Sequence, residues 1–456
     1  MSETHHEEVR VAVLGAGVTG LCAAHHAALR FGKDAVLVCE AAETAGGATR
    51  TESMDGFTLD WGPNGFLNRE PRTLEWIQGM GQSDRLHAAN EAAAHRFILK
   101  NNALVEVVPP PGFLMTSLLS VRGRLRLMCE PLIPARRGDA PESIYDFAAR
   151  RIGREAAETM VAPMVTGIFG GDAKALSLAH CFPRMAAMER DYGSLTRALL
   201  AKRRTNKAAS PIGPSGVLTT FREGIGFLPQ AACAHLAGRV RLGARAERIE
   251  RRGAGYRVTL GGGAMVDACG VIVAMPAYAA ADAVGALDAD LAGSLKRIAY
   301  ADISVVCTGY RREKVGHALD GFGFLVPPRE RKRVLGCLWT SSLFPGQAPE
   351  GCVLLRSMFG GYADRPGAHL SDRELLDCLA GEVHPLLGID SPPEWVRVFR
   401  HAPGIPQYLL RHGELLAAID AGEARHPGLT FAGNAYRGVG LNDCVLSAIR
   451  AVDRLP

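Results

Sequence analysis

The chain has 456 residues, room for about three domains at roughly 150 residues each. Apolar residues make up 47% and charged residues 22%, which excludes a largely disordered chain, because such chains bury too little apolar surface to offset the entropy of folding. Lys and Arg number 52 against 47 Asp and Glu, a net charge of +5; over this length that is too small an excess to argue for nucleic acid, and it suits an anionic substrate or an anionic membrane surface. The eleven cysteines are scattered, with no CxxC pair, and read as free thiols in a reducing compartment. Neither they nor the histidines have the spacing of metal ligands. The N-terminus lacks the segments of a signal peptide and no apolar run reaches the roughly 18 residues of a membrane span. The expected location is the cytoplasm, with peripheral contact at the cytoplasmic membrane left open.

Residues 9–14 (VRVAVL) predict a buried strand, and Gly15, Gly17 and Gly20 follow it as a G-x-G-x-x-G turn. A helix from 21 to about 31 and a strand over 35–39 ending at Glu40 complete a βαβ unit that binds a dinucleotide. Gly15 permits the tight turn, Gly17 lets the backbone approach a pyrophosphate, and Gly20 lets helix and strand pack closely. The helix start offers unpaired N–H groups and partial positive charge to phosphates. Glu40 is placed to accept hydrogen bonds from a ribose.

Gly46 and Gly47, followed by Thr49 and Arg50, form the extension typical of amine-oxidase-like flavoproteins, which together with the C-terminal segments 429–434 and 438–444 points to FAD rather than NAD. Residues 71–210 read as a mostly helical insertion. In it, 113–119 (FLMTSLL) beside Arg122, Arg124 and Arg126 has the composition of a helix resting on anionic lipid or of an ordinary buried helix. Residues 202–204 (KRR) read as a solvated loop. Residues 211–285 return to the FAD domain, with strands at 240–242, 246–249, 256–260 and 270–276, and backbone near Ala246 meets the adenine as in similar flavin domains. Residues 286–400 alternate strands (302–310, 353–359, 395–399) with helices, a sheet roofing a substrate cavity. Residues 429–434 (LTFAGN) look like the strand that closes a flavin domain; Gly433 and Asn434 stand where many flavoproteins have Gly-Asp. Val439, Gly440 and Leu441 then lead into a helix over 445–453 whose start faces the flavin. The fold class is α/β with α+β insertions: a discontinuous Rossmann-like FAD-binding domain (1–70, 211–285, 401–456), a mostly helical insertion (71–210) and a sheet-containing substrate domain (286–400).

Seven stretches in order carry a family resemblance: 62–66 (GPNGF), 96–99 (RFIL), 166–172 (TGIFGGD), 321–327 (GFGFLVP), 341–345 (SSLFP), 404–408 (GIPQY) and 433–444 (GNAYRGVGLNDC). The chain resembles the flavin-dependent protoporphyrinogen oxidases, nearest to the bacterial oxygen-using branch that also contains coproporphyrinogen oxidases. The resemblance implies oxidation of protoporphyrinogen IX to protoporphyrin IX in haem biosynthesis, a six-electron reaction by hydride transfers to flavin with O2 reduced to H2O2. It assigns Asn64 to the flavin face as the catalytic candidate, Arg96 to a substrate propionate, and Leu325 and Phe344 to the walls of the macrocycle site. Gly167 lies where backbone passes close to substrate or merely where a helix breaks. Two positions depart from the family: Phe324, whose bulk would reshape the pocket, and His401, which contacts a propionate or faces solvent. The alternatives are coproporphyrinogen III as substrate, another amine-oxidase-like flavoenzyme, or a porphyrin carrier that retains FAD. The expected partners are porphyrinogen and O2, no nucleic acid, and the inner face of a membrane; oligomeric state is open, a homodimer being one reading.

Overall fold

A computed structural model describes residues 6–108, 116–138, 140–205 and 216–456. Strand His6–Leu14 lies between two parallel neighbours, Val36–Cys39 and Met265–Val273, so that Leu14 stands level with Cys39 on one side and Val273 on the other. Val240–Arg241 extends the sheet beyond Val36–Cys39, and Leu429–Phe431 pairs in parallel with the end of Met265–Val273. An antiparallel hairpin, Ala246–Arg252 with Gly255–Leu260, closes the other side. The apolar run in the first strand has no polar face because both faces are covered. Val11 and Val13 share a core with helices Val18–Phe31 and Leu441–Asp453, whereas Ala12 and Leu14 share another with Ala277–Val284, Ala289–Lys296 and His412–Arg425.

The second sheet runs in the order Trp395–Gln407, Ala299–Arg311, Cys352–Gly360, Val334–Trp339, Gly323–Leu325, Phe97–Lys100, Ala103–Glu106. It is antiparallel except where Gly323–Leu325 meets Phe97–Lys100. Val306, Trp339, Leu355 and Phe359 point to one face and pack with Leu375, Leu379 and Leu387 of the helices outside. The period-two alternation of strands turns Ile98, Leu325, Leu338 and Arg356 to the opposite face, toward helix Ala162–Phe169 and the loop 60–64.

Four placements differ from the sequence expectation. The hairpin 97–106 lies within the stretch expected to be helical, yet adds two strands to the second sheet. Strand Trp395–Gln407 runs through the expected boundary at 400 and keeps residues 401–407 in that sheet. Helix Ala289–Lys296, expected in the substrate part, packs Leu291 and Leu295 into the core of the first sheet. In the helical region, Leu195–Thr205 continues through 202–204, expected as a loop. Helix Ala162–Phe169 follows a π-helical turn at Ala157–Val161, a distortion often found beside functional sites. Part of the expected lipid-facing segment, 113–115, lies outside the described residues.

Candidate active site

Gly15 has φ +107° and its N–H donates to the carbonyl of Cys39 at 2.8 Å. Gly20 lies so close to that turn that a methyl group on it would collide with the Gly15 carbonyl. Gly17 differs: it precedes helix Val18–Phe31, and a methyl there would meet no protein atom within 4 Å. The first turn of this helix holds no acidic residue and no side-chain cap. Free N–H groups facing open space at a helix start fit a phosphate.

Glu40 reaches back to this turn. Its Oε2 accepts from the Ala16 N–H at 2.6 Å and its Oε1 from the Ala42 N–H at 2.9 Å, while each oxygen keeps a lone pair for a ligand hydroxyl. Gly46 donates to the Ala16 carbonyl at 2.8 Å, and the Cβ position of Gly47 is 3.6 Å from Gly17 Cα. The loop before Ala246 joins the same place, since Ala244 N–H donates to the Glu40 carbonyl at 2.7 Å.

The C-terminal segment closes on this cradle. Gly433, φ +129°, donates to Ser447 Oγ at 3.0 Å, and its Cβ position is 3.8 Å from Thr19 Oγ1 on the first helix. Tyr408, fully buried, donates its hydroxyl to the Asn434 carbonyl at 2.5 Å and accepts from the Gly438 N–H at 2.8 Å. Its ring stacks on His412 at 4.3 Å, and burial pushes that imidazole down to about 4, so it is neutral and donates to the Tyr436 carbonyl at 2.8 Å. Helix Leu441–Asp453 starts four residues earlier than expected, with Gly440 before it and Leu441 buried; Val439 packs against the core of helix Ala162–Phe169. These hydrogen bonds and close approaches bring Gly15, Gly17, Gly20, Glu40, Gly46, Gly47 and the loop before Ala246 together, with Gly433 beside the first helix.

Asn64 stands on the loop after strand Phe57–Asp60. Its Nδ2 is buried without a hydrogen-bond partner, and the same holds for Arg50 Nε, Trp61 Nε1, Arg356 Nε and Asp60 Oδ2. These groups adjoin: Arg50 lies over the Trp61 ring at 5.2 Å, and Arg356 donates to the carbonyl of Gly62. Buried polar atoms are nearly always satisfied, so this cluster fits a polar ligand such as a flavin ring.

On the facing sheet, Leu325 lies against helix Ala162–Phe169 at Gly167, where a Cβ would come 2.8 Å from its side chain. Arg96 is exposed just before strand Phe97–Lys100, which pairs with Phe324 and Leu325, its guanidinium 5.1 Å above the Phe322 ring. Surrounding protein lowers its pKa by desolvation alone, and among the described residues no carboxylate pairs with it. Phe344 ends helix Thr340–Leu343, is fully buried with its ring 6.0 Å from His87, and presents no exposed surface. Phe324 points away from the pocket into the core with Trp339 and Phe359, so its bulk does not reshape the site. His401 is half-buried and its Nε2 donates to the Trp61 carbonyl at 3.0 Å. Leu338, Arg356 and the exposed pair Met164 and Ile168 on helix Ala162–Phe169 were not singled out from sequence. An arginine within the apolar run 353–359 was the available signal for one of them.

Residues 18–456 match the profile of the family described as flavin containing amine oxidoreductase. The chain is 30% identical to the chloroplastic protoporphyrinogen oxidase of Oryza sativa subsp. japonica, covering 97% of this chain and 87% of that one. It is 27% identical to the coproporphyrinogen III oxidase of Bacillus subtilis (strain 168), covering 95% of each. A solved structure from Exiguobacterium sp. 255-15, provisionally named a protoporphyrinogen oxidase, superposes with TM-score 0.83 at 24% identity over 98% of both chains. The glycine cradle, the unsatisfied polar cluster and these matches agree: the chain belongs to the flavin containing amine oxidoreductase family, with FAD as its cofactor.

Proposed function

We propose that the protein oxidises protoporphyrinogen IX to protoporphyrin IX in haem biosynthesis, with O2 as the final acceptor. The observation that carries this reading is Arg96: an exposed arginine that pairs with no carboxylate among the described residues, two positions before Ile98, which is the strand partner of the Leu325 that lies over Gly167. A flat apolar macrocycle with propionate arms needs that combination. Gly15, Gly17, Gly20 and the helix start would hold the pyrophosphate of FAD, Glu40 the ribose, backbone near Ala246 the adenine, and Gly433–Leu441 the flavin end. Bound FAD supplies the electron acceptance. Arg96 anchors the propionate, Leu325 and the apolar helix side exclude water, and the free Asn64 amide hydrogen-bonds the substrate so that the methylene bridge to be oxidised is fixed. Three two-electron oxidations remove six electrons and six protons, balanced by three O2 going to three H2O2.

Coproporphyrinogen III is the second reading, favoured by the Bacillus subtilis relative of that name. Feeding each porphyrinogen separately in air and following porphyrin fluorescence decides between them. Faster turnover of protoporphyrinogen is expected, and Arg96→Ala should raise its KM roughly tenfold or more, since a charged hydrogen bond contributes about 1.5–3 kcal/mol. Faster turnover of the four-propionate substrate would replace the first reading with the second; no fluorescence from either would end both.

Peripheral membrane contact is part of the same proposal. Helix Val121–Met128 exposes Val121, Leu125 and Met128, whose spacing of 4 and 3 makes one helical stripe; Leu132 is exposed in the turn that follows. Arg122 flanks it, whereas Arg126 turns inward and donates to the carbonyls of Arg150 and Arg151. No described helix is long and apolar enough to cross a membrane. Co-sedimentation with anionic vesicles is expected and should weaken in Leu125→Asp; pelleting that does not depend on lipid would count against the contact.

A further inference from the structure

Strand Cys352–Gly360 carries a charge that the roles above leave unused. Arg356 is 4% exposed and projects from the sheet face that looks onto the loop 60–64. It donates to the Gly62 carbonyl and, at 3.4 Å, to that of Trp61. Among the described residues no carboxylate lies within 4.0 Å of its nitrogens. The acid nearest in the sequence of that loop, Asp60, is engaged elsewhere, with Oδ1 accepting from Thr51 Oγ1 at 2.6 Å and from the Ile225 N–H at 3.1 Å. His401 shares the Trp61 carbonyl, and burial, with the charge of Arg356 adding to it, keeps its imidazole toward the neutral form.

A guanidinium stays protonated in proteins, and a buried charge without an ion-pair partner is costly. The surroundings are also one-sided. Around this loop four buried donor atoms lack acceptors, Arg50 Nε, Trp61 Nε1, Asn64 Nδ2 and Arg356 Nε, against one unpartnered acceptor, Asp60 Oδ2. Preorganised donors and positive charge of this kind stabilise negative charge that develops during a reaction. Taking up two electrons and one proton leaves a flavin with one more negative charge.

We propose that Arg356 is an electrostatic and positioning residue of the reaction centre: it fixes the Trp61–Asn64 loop through two carbonyls and sets its positive charge beside the group that accepts the electrons. The proposal rests on the flavin lying against this loop, and does not depend on which substrate the enzyme oxidises.

The test is the midpoint potential of the flavin in purified holoenzyme, measured by dye-equilibrated reductive titration with no porphyrinogen present. Arg356→Gln removes the charge and is expected to shift the reduction equilibrium at least tenfold toward oxidised flavin, about 30 mV for a two-electron couple. Arg356→Lys keeps the charge and should stay near the wild-type potential although it loses the guanidinium Nη2 that donates to both carbonyls. Asp60→Asn removes the opposite charge and should move the potential upward, which keeps the test decisive where the glutamine variant retains no flavin. A wild-type potential in Arg356→Gln, equal losses in the Gln and Lys variants, or no upward shift in Asp60→Asn overturns the proposal. Failure of the porphyrinogen assay alongside these potential shifts would refute only the substrate.

Discussion

Replacing Glu130 with alanine is expected to cost about 3–5 kcal/mol of stability, the usual penalty for breaking a buried ion pair by removing one partner. Glu130 is 2% exposed and Arg151 is fully buried. The carboxylate accepts from Arg151 Nε at 2.8 Å and also from Nη2. It accepts in addition from Ser194 Oγ at 2.7 Å and from the N–H groups of Leu195 and Thr196 at 2.9 and 3.0 Å. It therefore serves helix Leu195–Thr205 as an N-terminal cap supplied from 65 residues earlier in the chain. Removing it leaves Arg151, among the described residues, with Glu189 at 3.2 Å as its remaining carboxylate and strands the helix's first donors.

The same site sets an acid limit. Burial raises the Glu130 carboxyl, but hydrogen bonds from Thr196, Ser194 and Arg151 outweigh that and bring it down to about 2. A folded pKa below the unfolded value of about 4.3 means that the unfolded chain takes up the proton first as pH falls. The stabilisation is therefore complete above that value and is lost between about pH 4 and pH 2. Urea unfolding at pH 7 should separate wild type from Glu130→Ala and from Glu130→Gln by similar margins, because the amide keeps the shape but not the charge. The gap should narrow as pH drops toward 3. A loss under about 1 kcal/mol at pH 7 would mean that the helical region does not lean on this pair.

What was legible in the sequence were features with a local signature. The first βαβ unit was readable because each part follows the last within a few residues: strand, glycine turn, helix, strand, acid. Periodicity likewise located strands Ala299–Arg311 and Cys352–Gly360 to within three residues. Features that depend on distant partners were not legible. The hairpin 97–106 belongs to the second sheet only because Phe97 and Ile98 pair with Phe324 and Leu325, a register that no local pattern encodes. Glu130, Arg151 and Glu189 look like ordinary surface charges in a helical stretch until folding brings them together. Arg126 shows the converse: grouped by sequence with lipid-facing arginines, it is drawn inward by the carbonyls of Arg150 and Arg151. In the site, the glycine turn and Glu40 lie in contiguous motifs, whereas Arg356 and Leu338 needed the alternation of a strand whose neighbours were unknown.

The two glycines of the first turn should fail in different ways, and the contrast tests the cofactor cradle directly. Gly20→Ala would push a methyl group into the Gly15 carbonyl and to within 3.3 Å of Ala274 Cβ, backbone and sheet that cannot swing aside. The helix must retreat from the strand, a strain of about 1–3 kcal/mol or more, and the turn that receives the phosphates moves with it. This variant should be less stable as apoprotein and should carry no flavin after purification. Gly17 has φ −73° and ψ 177°, a conformation that alanine adopts freely, and its added methyl meets no protein atom within 4 Å. Gly17→Ala should therefore leave the apoprotein melting temperature nearly unchanged while FAD affinity falls at least tenfold, because the methyl occupies the space through which backbone and pyrophosphate approach each other. Flavin absorbance per polypeptide and melting of the stripped proteins measure the two effects separately. Full flavin content in Gly17→Ala would place the pyrophosphate elsewhere; equal loss of stability in both variants would make the turn a structural element alone.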